Sequence, residues 1–143
     1  MGLRRQSREL ALGALYLVDV SGMSPEQALM LMNRRAASGK GASMGEPRRT
    51  PEAFAGELAL GACKNIKDLD ARIEERAKNW KIPRMGVADR NILRLAAYEL
   101  LFTDAPPKVV INEAIEIARK FSGEEATAFI NGILDKIKAP PSA

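Results

Sequence analysis

The chain has 143 residues, of which 46% are hydrophobic and 5% aromatic, with a formal net charge of +4. This composition supports a packed core and excludes a disordered chain, and no apolar run approaches the roughly 20 residues that cross a bilayer. Histidine is absent and cysteine occurs once, which excludes Ser-His-Asp and Cys-His catalysis, His-based zinc sites and an internal disulfide. We therefore expect a cytoplasmic protein without membrane association, catalytic residues, metal or cofactor.

The basic charge is concentrated at the start of the chain. Residues 1–50 hold eight Lys and Arg against four Asp and Glu, whereas residues 51–143 hold fourteen of each sign. A basic excess confined to one third of a chain favours an anionic partner that docks there. An uneven surface charge without a function is the alternative.

The first two predicted helices lie in this basic part. One runs from about Arg4 to Ser21, with its buried stripe around Ala11, Ala14, Leu15 and Val18. The second begins at Ser24-Pro25-Glu26-Gln27, where Ser24 is the N-cap and Gln27 closes a capping box. Its inward residues are predicted to be Ala28, Leu31 and Met32.

The only long break in the helical pattern is at residues 38–50, SGKGASMGEPRRT. It is rich in Gly, Ser and basic residues and has no apolar period, so we predict a flexible basic surface loop. Its Gly39-Lys40-Gly41 run lacks the spacing of a phosphate-binding loop. Helix is predicted to restart at Thr50-Pro51.

The next two predicted helices differ in how much of their surface is apolar. The fourth helix has Asp68 as its predicted cap, and its predicted buried face is Leu69, Ile73, Ala77 and Trp80. The fifth helix, from Ala88 to Phe102, is apolar nearly all round. That pattern is typical of a central buried helix.

Two amphipathic helices complete the pattern. Apolar residues repeat at helical spacing on both sides of Ser122-Gly123, and Glu124-Glu125 place negative charge in the first turn of the last helix. Residues 139–143 are predicted to be a disordered tail. The predicted fold is all-α, a compact bundle of about seven helices in two packed helical halves that form a single domain over residues 1–138.

The candidate RNA-binding residues are three arginines at the start of the first helix. Arg4, Arg5 and Arg8 lie within about one turn, so their guanidinium groups crowd one side of the helix. That spacing suits successive phosphates, and guanidinium groups also stack on bases. The alternative is a solvated helix start, although cations there oppose the helix dipole.

Three segments of the chain resemble the NusB family of bacterial transcription antitermination factors. The first is Arg4-Arg5-Gln6-Ser7-Arg8-Glu9, followed by Ala11 and Leu15-Tyr16. The second is residues 89–100, DRNILRLAAYEL. The third joins INEAIEIARKF at 111–121 to FINGILDKI at 129–137. Between residues 22 and 81 the resemblance is limited to the helical pattern. Gln6 stands where some members carry another arginine, and the loop at 38–50 is longer than usual.

The resemblance implies roles for seven residues. Those on the RNA side are Arg4, Arg5, Arg8 and Tyr16. Those that bind the protein partner, at or near the surface that faces both the RNA and that partner, are Asp89, Glu125 and Phe129. For Tyr16 and Phe129, packing into the core is an equal alternative because both lie close to apolar stripes.

The resemblance also implies a function without catalysis. Members of the family pair with a small-subunit ribosomal protein, called NusE in this role, and the heterodimer binds the single-stranded boxA element of nascent RNA. It then joins an antitermination complex on RNA polymerase, especially on ribosomal RNA operons. Two alternatives stay open. One is a helical RNA-binding module like the N-terminal domain of ribosomal RNA cytosine methyltransferases, and the other is a homodimeric protein–protein adaptor.

Overall fold

The structure is a computed structural model that describes residues 2–39, 51–78 and 80–138. Regular structure within these ranges is entirely helical, which confirms the all-α prediction. The α-helices that it describes are α1 (Gly2–Ser21), α2 (Pro25–Gly39), α3 (Pro51–Lys64), α4 (Ile66–Ala77), α5 (Val87–Phe102), α6 (Pro107–Phe121) and α7 (Glu124–Lys138), with a 3-10 helix (Ile82–Arg84) before α5. Of the predicted loop at 38–50, residues 38 and 39 end α2; residues 40–50 and the tail at 139–143 lie outside the described residues.

The chain divides into two compact units, Met1–Cys63 and Lys64–Ala143. The first unit holds α1, α2 and nearly all of α3, and the second holds α4 to α7. The organisation into a single domain over residues 1–138 stays a prediction.

In the first unit, local hydrogen bonds set the turn between α1 and α2. Gly22 adopts a φ of 76°, which glycine tolerates without steric cost, and its N–H donates to the Val18 carbonyl at 3.0 Å. The Gln27 N–H donates to Ser24 Oγ at 3.1 Å, and the Ser24 N–H donates to Gln27 Oε1 at 3.4 Å. The predicted capping box is therefore confirmed.

A glycine in the middle of α1 lies against a side chain of α2. A Cβ added at Gly13 would lie 2.8 Å from Met32 Sδ, so the Met32 side chain covers this position. Ala28 and Leu29 of α2 are buried, whereas Leu31 is 40% exposed. The prediction that Leu31 faces inward is wrong. The buried stripe of α2 includes Leu29, and Leu31, two residues later, lies outside it.

In the second unit, α5 is the central helix. It packs against α4, α6 and α7, which confirms the prediction from its apolar pattern. The core residues contributed by its neighbours include Ile73 from α4, Val110 and Ala118 from α6, and Ile130 and Leu134 from α7. Full burial of a side chain of the Leu or Ile type stabilises a fold by about 1.5–3 kcal/mol.

A glycine turn separates α6 from α7. Gly123 has a φ of 114°, and the N–H groups of Ser122 and Gly123 both donate to the Ala118 carbonyl, at 2.7 and 2.9 Å. These hydrogen bonds satisfy the Ala118 carbonyl at the C-terminal end of α6. The next helix, α7, begins at Glu124, directly after Gly123. The predicted break at Ser122-Gly123 is confirmed.

The start and the end of α4 differ from the prediction. Asp68 lies in the first turn, after Asn65 at the cap position, and it forms an exposed ion pair with Arg72. Leu69, Ile73 and Ala77 form the expected buried face. Trp80, however, lies beyond the helix and is 49% exposed. Its predicted burial is wrong because α4 ends at Ala77, where Lys78 turns the chain with a φ of 53°.

A polar network joins α4 to α5. Arg94 is buried, with its Nε 2.8 Å from Asp70 Oδ1 and its Nη2 2.9 Å from Asp70 Oδ2. Its Nη1 donates to Asn91 Oδ1 at 3.0 Å, and Asn91 Nδ2 donates to the Val87 carbonyl at 2.9 Å. Two parallel bonds from one guanidinium to one carboxylate fix both distance and orientation, so this network sets how α4 lies against α5.

Candidate functional site

The start of α1 presents two of the three predicted arginines to solvent. Arg4 and Arg5 are exposed, and the first turn of α1 contains no acidic residue. The Arg4 guanidinium carbon lies 4.1 Å from the centre of the Phe54 ring. This cation–π contact limits the freedom of the guanidinium and still leaves its charge accessible. The two side chains form the basic end of α1, which we define as Arg4 and Arg5.

Arg8 does not belong to this exposed set. Its side chain is only 5% exposed, so the expectation that three accessible arginines crowd one side of the helix is wrong for Arg8. The reason lies in its position, since Ala11, Leu12 and Leu15 follow it at the i+3, i+4 and i+7 spacing of a single helical face. All three are buried. A role for Arg8 in RNA binding stays a prediction.

Tyr16 lies on the accessible side of α1. It is 45% exposed, so packing into the core does not account for it. It follows Arg5 by eleven positions, which places the two residues about 20° apart around the helix and about 16 Å apart along it. A single strand that follows this side of α1 would pass both residues.

The predicted partner residue Asp89 lies near the start of α5. It is the third residue after the cap position, Gly86, and a Cβ added at Gly86 would lie 3.5 Å from Asp89 Oδ2. Asp89 is half-buried, and within the described ranges it forms no ion pair. Its charge suits the N-terminal end of the helix dipole and is not neutralised by a neighbouring side chain.

The other two predicted partner residues lie one turn apart on α7. Glu125 is exposed and, among the residues that the structure describes, has no cationic partner. Its neighbour Glu124 does have one, because Arg119 Nε donates to Glu124 Oε1 at 2.9 Å. Hydrogen bonds to Glu116 and then Glu124 raise the pKa of the Arg119 guanidinium above its usual value. Of the two acids, Glu125 is the one available to a partner.

Phe129 is half-buried and contacts Trp80, which the sequence had not singled out as a site residue. Their ring centres lie 6.4 Å apart with the planes at 73°, an edge-to-face pair. The sequence signal for Trp80 was an aromatic residue between Lys78 and Lys81, just before Pro83. Phe129 therefore fits both predicted roles, core packing and partner contact, because part of its ring packs within the unit and part remains accessible.

In the second unit, the structure brings Phe129 into contact with Trp80 and places Glu125 one helical turn before Phe129. In the first unit, Arg4 and Arg5 are neighbours at the start of α1. In the described ranges, no group of three or more Cys, Asp or Glu residues is placed to hold a metal ion. None of the helices described is both long and apolar enough to cross a membrane.

Comparison with known proteins identifies the relatives of this chain. A model of the NusB family matches residues 5–139. The transcription antitermination protein NusB of Geotalea daltonii is 47% identical over 138 residues, which cover 96% of this chain and 94% of that protein. The protein of the same name from Trichlorobacter lovleyi is 46% identical over 142 residues, covering 99% and 94%. The chain belongs to the NusB family.

Solved structures support the same assignment at the level of the fold. T. maritima NusB superposes with a TM-score of 0.79 at 34% identity, covering 94% of this chain and 89% of that one. A crystal structure of antitermination factors NusB and NusE in complex with double-stranded RNA contains a chain that superposes with a TM-score of 0.79 at 27% identity, covering 96% and 97%. The resemblance to the NusB family inferred from three sequence segments is therefore confirmed over nearly the whole chain.

Proposed function

We propose that this chain is a transcription antitermination factor that binds the single-stranded boxA element of nascent ribosomal RNA together with the ribosomal protein NusE. The heterodimer would then act on RNA polymerase elongation complexes. The observation that carries the proposal is membership of the NusB family over residues 5–139, together with similarity to a chain in a complex of NusB, NusE and RNA. Such a function requires binding surfaces and no catalytic group.

The RNA-binding part of the proposal rests on α1. Arg4 and Arg5 are exposed at a helix end where their charges oppose the dipole, and Tyr16 presents an accessible ring on the side of Arg5. Single-stranded RNA is recognised by cations that follow its phosphates and by aromatic rings that stack on unpaired bases. The exposed side of α1 offers both.

The protein-binding part rests on the second unit. Asp89 and Glu125 are carboxylates in the first turns of α5 and α7, without cationic partners among the described residues, and Phe129 lies one turn after Glu125. Ribosomal proteins are basic, so two unneutralised carboxylates, one of them a helical turn away from an aromatic ring, suit such a partner. Complementary charge of this kind raises association rates and suppresses wrong partners.

The proposal is tested by RNA binding to the chain alone, to NusE alone and to the mixture. A labelled boxA RNA and a scrambled RNA of the same length and composition are titrated by fluorescence anisotropy at fixed salt, because affinities for RNA depend strongly on salt. We expect the mixture to bind boxA more tightly than either protein alone and more tightly than the scrambled RNA. Equal affinity of the mixture for both RNAs would contradict the proposal.

A charge reversal tests the partner surface. We expect Asp89→Lys to weaken NusE binding about tenfold or more, because an attractive contact with a basic protein becomes a repulsive one. The affinity is measured by isothermal titration calorimetry with purified NusE, and circular dichroism verifies that the helical content is kept.

The matched control for this variant is Glu26→Lys. Glu26, like Asp89, is an acid in the first turn of a helix, so the substitution changes the net charge and opposes a helix dipole in the same way. It lies on α2 in the first unit, whereas the proposed partner residues belong to the second unit. If both variants bind NusE as the unmodified chain does, Asp89 acts only as a helix-start residue.

A further inference from the structure

Trp80 is a large aromatic residue that the fold leaves half exposed. It follows α4, is 49% exposed, and makes its ring contact with Phe129 alone among the described aromatic residues. An edge-to-face contact fixes the relative orientation of two rings, so Phe129 holds the indole in a defined position. A nucleobase could stack on such a ring without first ordering it.

The backbone around Trp80 is also held in place. The Ile82 N–H donates to Glu74 Oε2 at 2.7 Å, and Arg90 Nη1 lies 3.3 Å from the Met85 carbonyl and 3.5 Å from the Ile82 carbonyl. Ile82 and Met85 are buried, each 6% exposed. Two buried anchors and these polar contacts make residues 80–85, which we define as the Trp80 segment, a preorganised surface. Preorganisation lowers the entropic cost of binding.

The charge on and beside the Trp80 segment is positive. Lys78, Lys81 and Arg84 are exposed, and within the described ranges none of them has a carboxylate partner. The two acids near the end of α4 are already engaged, since Glu74 accepts a hydrogen bond from the Ile82 N–H and Glu75 pairs with Arg76. Unpaired cations on both sides of an aromatic ring attract a polyanion and repel a basic protein. This arrangement favours a nucleic acid over a ribosomal protein as the occupant.

We propose that the Trp80 segment is a second RNA contact, in which the indole of Trp80 stacks on a base of single-stranded RNA and Lys81 and Arg84 neutralise adjacent phosphates. The inference rests on the proposed RNA-binding function and adds to it a site in the second unit, whereas the basic end of α1 belongs to the first. Stacking on an aromatic ring tolerates every base, so this contact contributes affinity and leaves sequence selection to other residues.

The test uses the unmodified full chain and two variants, Trp80→Leu and Phe102→Leu, each with and without NusE. Phe102 is a matched control, since it is 44% exposed, lies in the same unit and forms an intramolecular ring pair, with Tyr98 at 5.5 Å. We expect Trp80→Leu to bind a single-stranded boxA RNA roughly tenfold more weakly, and Phe102→Leu to bind it as the unmodified chain does. Trp80→Phe, which keeps an aromatic face, should recover most of the affinity.

A spectroscopic readout separates stacking from a loss of structure. Trp80 is the only tryptophan of the chain, so its fluorescence in the unmodified protein reports on this one position. Titration with single-stranded RNA should quench the emission, and the quenching should follow the same binding curve as the anisotropy of the labelled RNA. Lys81→Gln with Arg84→Gln should flatten the slope of log affinity against log salt by about 1.4, for two phosphate contacts on a single strand.

The possible outcomes separate this inference from the proposed function. If the unmodified chain binds RNA, but Trp80→Leu binds equally well and the emission does not change, the Trp80 contact is wrong and the proposed function stands. If Trp80→Leu weakens NusE binding and leaves RNA binding by the chain alone unchanged, the segment is a protein-docking surface and the inference is again wrong. If the unmodified chain and its mixture with NusE bind no RNA, both fail together.

Discussion

Replacing Asp70 with alanine should lower the free energy of unfolding by about 3 kcal/mol, because it leaves a buried guanidinium without its carboxylate. Asp70 accepts two hydrogen bonds from Arg94, at 2.8 and 2.9 Å, and only 11% of the Arg94 side chain is exposed. Removing one partner of a buried ion pair costs far more than the pair contributes, since the remaining charge cannot regain its water. The measurement is urea denaturation followed by circular dichroism.

The matched control is Asp68→Ala on the same helix. Asp68 pairs with Arg72, the same two residue types, but their side chains are 50% and 44% exposed. Exposed pairs contribute about 0–1 kcal/mol, so this variant should scarcely move the denaturation midpoint. If Asp70→Ala proves no more destabilising than Asp68→Ala, solvent reaches Arg94 and the network does not act as a buried pair.

This network also bears on the proposed binding surfaces. Asp70 lies on α4, whose end leads into Trp80, and Arg94 lies on α5, whose first turn carries Asp89. Two parallel hydrogen bonds therefore set the relative position of the elements that present a candidate RNA contact and a candidate partner contact. A binding site gains precision when it is supported by rigid elements.

The fold was predictable from the sequence where a local rule decides the structure. The capping box at Ser24 and Gln27 and the break at Ser122-Gly123 each require only a few neighbouring residues, and both were confirmed. The burial of α5 was predictable because its apolar residues surround the helix, so no choice of face was needed.

The predictions were wrong where an apolar helical period was continued beyond the end of the helix, and where the side of a helix on which a residue lies was inferred from its charge. Trp80 was placed on the face of α4 by continuing its period, but Lys78 ends that period with a φ of 53°. Arg8 was assigned by charge to the exposed side, although its spacing to Ala11, Leu12 and Leu15 places it on the buried stripe. Arginine can bury its long stem, so spacing was the better guide there.

The pairing of Asp70 with Arg94 had no sequence signal. The two residues are 24 positions apart and lie on different helices, and a single sequence does not say which charges meet in space. The ring contact between Trp80 and Phe129 is a similar case, since it joins residues from opposite ends of the second unit. Long-range contacts of this kind depend on how helices pack, which local periodicity does not specify.

The basic end of α1 is expected to determine much of the salt dependence of RNA binding. If Arg4 and Arg5 each neutralise one phosphate, replacing both with alanine should flatten the slope of log affinity against log salt by about 1.4 for a single-stranded boxA RNA. Stability should change by less than about 1 kcal/mol, because both side chains are exposed, and the loss of the cation–π contact between Arg4 and Phe54 is partly offset by the removal of charges that oppose the helix dipole. The measurement is RNA binding across a salt series for the unmodified chain and the double variant.

Arg8→Ala provides the contrast within the same helix. Because Arg8 is 5% exposed, its removal should destabilise the fold by about 1–3 kcal/mol, as expected for a buried polar group whose contacts are lost. Where the protein remains folded, the salt slope of this variant should equal that of the unmodified chain. If instead Arg8→Ala flattens the slope and the double variant does not, the phosphate contact belongs to Arg8, and binding of RNA must then expose a side chain that the free protein buries.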